Sequence, residues 1–192
     1  AMGRAEDGWP AVEEGLRVSA QNGKDLAWGV CFQQHYVVGR PPAEMYDLHV
    51  RAARELLKAG PPPPISPTNK DPERKLRIGF VSPDLRYHSV AFFVQQLFGG
   101  LDRSSFTVLA YSLSPITDEV NQRLRAACDQ WRDCASKSEE AIVALMRQDK
   151  VDIAVDLSGH TANSRPRLFL RRLAPVQATM IGYPSTTGLP TM

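Results

Sequence analysis

At 192 residues and 43% hydrophobic content, the chain can bury one sizeable core but hardly two, so one domain with a helical appendage is expected. Its formal net charge is +2, from 23 Lys and Arg against 21 Asp and Glu. Because the basic residues are scattered, apart from Arg165, Arg167, Arg171 and Arg172, charge argues against nucleic acid as a partner. Cys31, Cys128 and Cys134 are odd in number and lack C-x-x-C spacing, which counts against a disulfide framework and a zinc site and favours a reducing compartment. No apolar run approaches the roughly 20 residues that cross a bilayer, and the opening AMGRAEDGWP has no apolar signal core. A soluble, cytoplasmic protein with no membrane partner is expected, nuclear as well if its source is eukaryotic.

Residues 1–60 read as helical: 9–23 carry Val12, Leu16 and Val18, and Pro41-Pro42 opens a stretch with Met45, Leu48, Ala52 and Leu56 on one face. A Pro-rich linker follows at 61–75, where prolines remove amide donors and favour extended backbone. From residue 76 to 192, short apolar runs alternate with helical stretches. LRIGFVS, SVAFFVQQLFGG and FTVLAYS come first, then an amphipathic stretch over 118–128 and the SKSEEAIVALMRQDK helix, which Ser136 and Glu139 are expected to cap. VDIAVDL, a short helix near LFLRR, and VQATMIGYPSTTG complete the series. Alternating strands and helices predict an α/β fold, a Rossmann-like doubly wound parallel sheet.

In such sheets ligands bind beyond the carboxyl ends of the strands, and three segments fall there. SPDLRYHS sets Asp84 and His88 four residues apart before a helix starting near Ser89; in a helical turn that spacing puts carboxylate and imidazole on one side, where His88 serves as donor or base near neutral pH, or else Asp84 merely caps the helix. DLSGHTANSR crowds Asp156, Gly159, His160, Thr161, Asn163 and Arg165 after a buried strand, and fits either a ligand loop or a hydrogen-bonded turn. IGYPSTTGLP has Gly182, Pro184 and Gly188 shaping a loop that lets backbone approach a sugar or phosphate. No G-x-G-x-x-G follows the first strand, and neither G-x-x-x-x-G-K-[ST] nor G-x-S-x-G occurs, so dinucleotide, P-loop and hydrolase readings lack their fingerprints.

The strings KDPERKLRIGFVSPDLRYHSVAFF, VDIAVDLSGHTANSR and LAPVQATMIGYPSTTGLP, with HY and EMYDLH upstream, resemble the O-GlcNAc transferase and SPINDLY family over about residues 33–192. The resemblance implies the N-terminal lobe of a GT-B glycosyltransferase, with residues 1–60 ending a tetratricopeptide-like region. It implies transfer of a sugar from a nucleotide donor to Ser or Thr of a protein acceptor, with inversion and with no metal or other cofactor. His88 matches the histidine lining the donor-sugar site and Asp84 the aspartate proposed as proton acceptor. His160, with Thr161 beside it, matches the position facing the sugar, and Ile181, Gly182 and Pro184 match the loop that closes over it. Ser89 and Val90 stand where animal O-GlcNAc transferases read Pro-Thr, and the STTGLP ending is as in SPINDLY. These departures point toward GDP-fucose, which SPINDLY-type members use and which an apolar wall at Ser89 and Val90 would favour, but UDP-GlcNAc is the expected donor because most family members resembling this chain are assigned to it. A second lobe beyond Met192 is expected to supply base stacking and a lysine for the leaving diphosphate, leaving the 192 residues inactive alone.

Overall fold

A computed structural model describes residues 26–36, 39, 41–57, 61–67 and 69–192, together with 14, 17 and 18. The helix expected over 9–23 otherwise lies outside the described residues. Helix α1 (Leu26–Gln33) runs into a 3-10 turn (Gln34–Tyr36), and α2 (Pro42–Leu56) begins at the second proline, whose fixed φ and missing N–H suit a first helical turn. Leu48 and Ala52 of α2 pack with Cys31 of α1, while Ala53 joins the core of the α/β part. The described prolines of 61–67 form neither helix nor strand.

The α/β part comprises β1 (Leu76–Ser82), α3 (Ser89–Gly100), β2 (Phe106–Ser112), α4 (Glu119–Ala127), β3 (Gln130–Asp133), α5 (Glu139–Gln148), β4 (Ile153–Asp156), α6 (Arg167–Leu170) and β5 (Val176–Thr179). Its five strands lie in the order β3-β2-β1-β4-β5 and every pair is parallel, which is the doubly wound arrangement. Side chains alternate across the sheet. Ile78, Phe80, Val108 and Ala110 meet Val94 and Phe98 of α3 and Leu124 of α4. Val81, Leu109 and Tyr111 meet Ile142 and Met146 of α5 and Leu168 and Phe169 of α6. Apolar burial on both faces is why β1 and β2 read as near-continuous apolar runs.

Two local expectations differ. Ser138, not Ser136, caps α5, its hydroxyl accepting from the Ala141 N–H at 3.2 Å. Strand β3, QWRD, was not anticipated: it is a four-residue edge strand whose one apolar residue, Trp131, packs on the core beside the polar Gln130, Arg132 and Asp133, so it lacks the apolar pattern that announces a covered strand.

Candidate functional site

The chain leaves β1 in one direction along the sheet toward β2 and returns to its other side as β4. The gap beyond the ends of β1 and β4 is therefore the topological switch point, where an open crevice forms. Ser82 at the end of β1 and Ser158 just past β4 share a hydrogen bond, Oγ to Oγ 2.9 Å, and the Asp84 N–H donates to Ser82 Oγ at 2.9 Å. These bonds tie the Asp84 turn to the segment after β4. Residues 85–87 are held from α4: Asn121 Nδ2 donates to the Leu85 carbonyl at 2.8 Å, and Asp118, which caps α4, accepts from the Tyr87 N–H at 2.7 Å.

Asp84 and His88 meet in this turn, with Nε2 of His88 3.8 Å from Asp84 Oδ1. The residues between them are not helical; a loop, rather than one face of a helical turn, brings them together. His88, not Asp84, is the N-cap of α3: its Nδ1 accepts from the Val90 N–H at 3.3 Å. An accepting Nδ1 places the proton of the neutral ring on Nε2, the end nearest the carboxylate. Asp84 is 6% exposed, and burial raises its pKa above the ordinary carboxylate range against the pull of His88 and Arg86. The pair thus sets an N–H donor beside a carboxylate of increased proton affinity, the His88 side chain being 36% exposed.

Beyond β4, Asp156 is buried and accepts from the Ser158 N–H (3.0 Å), the Gly159 N–H (2.8 Å) and the Thr179 hydroxyl (3.2 Å). Burial nevertheless pushes its pKa up to about 6. Thr161 closes the same turn by donating to the Ser158 carbonyl at 2.9 Å. The loop after β5 lies against this turn so closely that a Cβ on Gly182 would sit 1.9 Å from the Leu157 carbonyl oxygen, and one on Gly159, at φ +55°, 2.3 Å from Tyr183 Cβ. Ile181 has φ +68°, and the Gly182 N–H donates to the Met180 carbonyl at 2.8 Å. That is a γ-turn centred on a β-branched residue in the left-handed region, a strained conformation that surrounding contacts must enforce. Ile181, Pro184 and Ser89 are exposed, so they reach the open edge.

Two residues expected to contact the sugar are buried. Val90 is 5% exposed within the α3 core cluster, its side chain packed with the sheet residues of that cluster. His160 is 2% exposed, its Nε2 donating to the Thr187 carbonyl at 2.8 Å and its ring tilted against His49 and edge-to-face with Tyr183. A ring so enclosed turns toward α2 rather than the open edge, and burial lowers its pKa to about 3.

Sequence reasoning missed the network behind the loop. Tyr183 is buried, its hydroxyl 2.6 Å from His49 Nε2 and 3.1 Å from His35 Nε2. His49 Nδ1 donates to the Met45 carbonyl at 2.6 Å, so Nε2 carries the lone pair and the Tyr183 hydroxyl donates to it. Only the HY and EMYDLH strings signalled that these histidines matter. Cys31, His49 and His160 come together, one ligand atom from each lying within 4.8 Å of the others, although their spacing along the chain suggested no such cluster. The edge around His88 also carries the exposed aromatics Tyr87, Phe92 and Phe93, the first two in edge-to-face contact. A separate cavity of about 420 Å³ lies between α2 and the loop after β5, lined by Val50, Arg54, Leu57, Thr186 and Gly188 among others, and includes neither Asp84 nor His88.

Comparison with known proteins brings these features under one heading. Residues 60–192 match the model of Glycosyl transferase family 41. A tomato (Solanum lycopersicum) protein described as a probable UDP-N-acetylglucosamine–peptide N-acetylglucosaminyltransferase SPINDLY is 39% identical over 153 residues, 78% of this chain and 16% of the tomato protein. The Caenorhabditis elegans UDP-N-acetylglucosamine–peptide N-acetylglucosaminyltransferase is 35% identical over 122 residues, 60% of this chain and 10% of its own length. A solved mutant of the Thermobaculum terrenum O-GlcNAc transferase superposes with a TM-score of 0.90 at 35% identity, over 99% of this chain and 36% of that one. The chain thus spans only a fraction of the length of the proteins it matches.

Proposed function

The chain belongs to glycosyl transferase family 41, and from that premise we propose that it forms the sugar-facing lobe of a protein O-glycosyltransferase that moves GlcNAc from UDP-GlcNAc to Ser or Thr hydroxyls with inversion. The observation that carries this reading is the Asp84–His88 pair at the switch point, an imidazole N–H and a buried carboxylate 3.8 Å apart. In the proposed reaction the acceptor hydroxyl oxygen bonds to the anomeric carbon while the bond from that carbon to the diphosphate breaks. The hydroxyl proton passes to Asp84, whose burial makes it a better acceptor than a surface carboxylate. His88 presents its Nε2–H to the sugar or the departing oxygen, and the His88–Val90 bond keeps the ring in that orientation. The strained Ile181 turn and exposed Pro184 close over the sugar. Three free thiols accord with a reducing, cytoplasmic setting, and no helix among the described residues is long and apolar enough to cross a membrane.

GDP-fucose remains the alternative donor, supported by the STTGLP string; the burial of Val90 removes one argument for it. The test is a longer parent protein carrying this lobe, assayed with a protein acceptor and each donor in parallel. Transfer from UDP-GlcNAc is expected, falling by at least roughly 10²-fold in His88→Ala and in Asp84→Asn with folding retained. Transfer from GDP-fucose alone would replace the donor assignment, and near-normal rates in both variants would reduce the pair to a structural turn.

A further inference from the structure

Ile181 keeps its left-handed conformation between two anchors. On one side the Met180 N–H donates to the Asp156 carbonyl at 2.9 Å, carrying the β4–β5 pairing up to the residue before the turn. On the other side Tyr183 is buried against Gly159, where any side chain would strike its Cβ, and its hydroxyl lies between two imidazoles of the helical segment. The direction of each bond follows from the protons. His49 Nδ1 donates to the Met45 carbonyl, so the Tyr183 hydroxyl gives its one proton to His49 Nε2 at 2.6 Å, and its oxygen accepts the Nε2–H of His35 at 3.1 Å. Burial lowers the pKa of both histidines, so the rings are uncharged at neutral pH and this arrangement holds. Packing does not call for the hydroxyl, since a phenylalanine would fill the same space with no polar atom to satisfy. What the bond to His49, itself 0% exposed, adds is direction, which apolar contact lacks.

We propose that His49 is a positioning residue: through Tyr183 it holds the Ile181–Gly182 turn in the shape that meets the donor sugar, so that the helical segment before the linker sets donor affinity without touching the donor. The inference rests on the reading of this loop as sugar-facing and adds to it the source of the loop's shape. A strained turn cannot relax while both of its anchors hold. With the Tyr183 anchor cut, Ile181 moves toward negative φ, and only the fraction of molecules that re-form the turn is competent to bind, which weakens apparent affinity by that fraction. Neither His49 nor Tyr183 reaches the reacting atoms, so the loss falls on binding rather than on the chemical step.

The test has two arms. In this chain, NMR order parameters of the Ile181 and Gly182 amides should lie near the rigid-backbone value of about 0.85 and fall below about 0.6 in Tyr183→Phe and in His49→Leu, while those of β1 stay unchanged. His49→Gln, whose amide oxygen can accept from the phenol, should restore most of the order. In a longer parent protein carrying this lobe, assayed with whichever of UDP-GlcNAc and GDP-fucose it accepts, Tyr183→Phe should raise the donor KM about tenfold with kcat within about twofold. Combining Tyr183→Phe with His49→Leu should be no worse than either change alone, because both cut the same bond. Unchanged order parameters in Tyr183→Phe would overturn the proposal whatever the parent catalyses. Lost order with an unchanged KM, or fully additive losses in the double variant, would overturn the link from His49 to the donor. A parent that transfers neither sugar would overturn the enzymatic reading and that link with it, while the order parameters would still decide whether His49 anchors the turn.

Discussion

Asp156→Asn separates two opposing effects at the end of β4. The carboxylate accepts two backbone N–H groups and one hydroxyl, yet burial holds its pKa at about 6 against a reference of 3.8. The folded state therefore binds the proton more tightly than the unfolded chain does. For a raised acid pKa, stability is greatest below 3.8 and declines as pH climbs through about 6. The full difference is on the order of 3 kcal/mol, and about 1.4 kcal/mol of it falls between pH 5 and pH 8 by the same linkage. An Asn side chain does not titrate, but its amide puts a donor against one of the donors Asp156 now satisfies, a buried mismatch of about 1–3 kcal/mol. Urea unfolding of both proteins at pH 5 and pH 8 should thus find the variant less stable at pH 5, with the gap narrowed by about 1 kcal/mol or more at pH 8. A gap that is constant with pH, or widens as pH rises, would show that the three hydrogen bonds outweigh desolvation and that Asp156 is ionised throughout.

Two further substitutions probe the loop after β5. Gly182→Ala places a methyl 1.9 Å from the Leu157 carbonyl oxygen; the loop must move by more than an ångström, and a loss of about 1–3 kcal/mol in urea unfolding is expected, an unchanged midpoint being the contrary result. Ile181→Gly relieves left-handed strain of about 1–3 kcal/mol at a side chain 42% exposed, against about 1 kcal/mol of added chain entropy; stability should hold or rise, and a loss above about 1 kcal/mol would mean that the side chain is packed rather than strained.

What was legible in the sequence was whatever a single element determines. Strands β1 and β2 showed themselves because both of their faces are covered, and the Asp84 and His88 pair because a parallel sheet sends its ligand loops to the carboxyl ends. The cap of α5 was misplaced by two residues because S-x-x-E spacing at Ser136 mimics the signal that Ser138 delivers by bonding the Ala141 N–H. His160 shows where local reasoning stops. A histidine beside glycine and threonine after a buried strand looks the same whether it faces a ligand or the interior, and what decides is His49 on α2 together with Tyr183. Tyr183 in turn is fixed by a hydroxyl aimed at two histidines from the helical segment. Because Gly188, at φ +69°, lies so close to α2 that a Cβ there would meet the His49 carbonyl carbon and oxygen at 2.3 Å, the helical segment sets the position of the loop at both its tyrosine and its glycine. The helices before the linker therefore hold the loop after β5 through backbone contact and through Tyr183, a coupling between distant stretches of sequence that no periodicity or motif within either stretch could express.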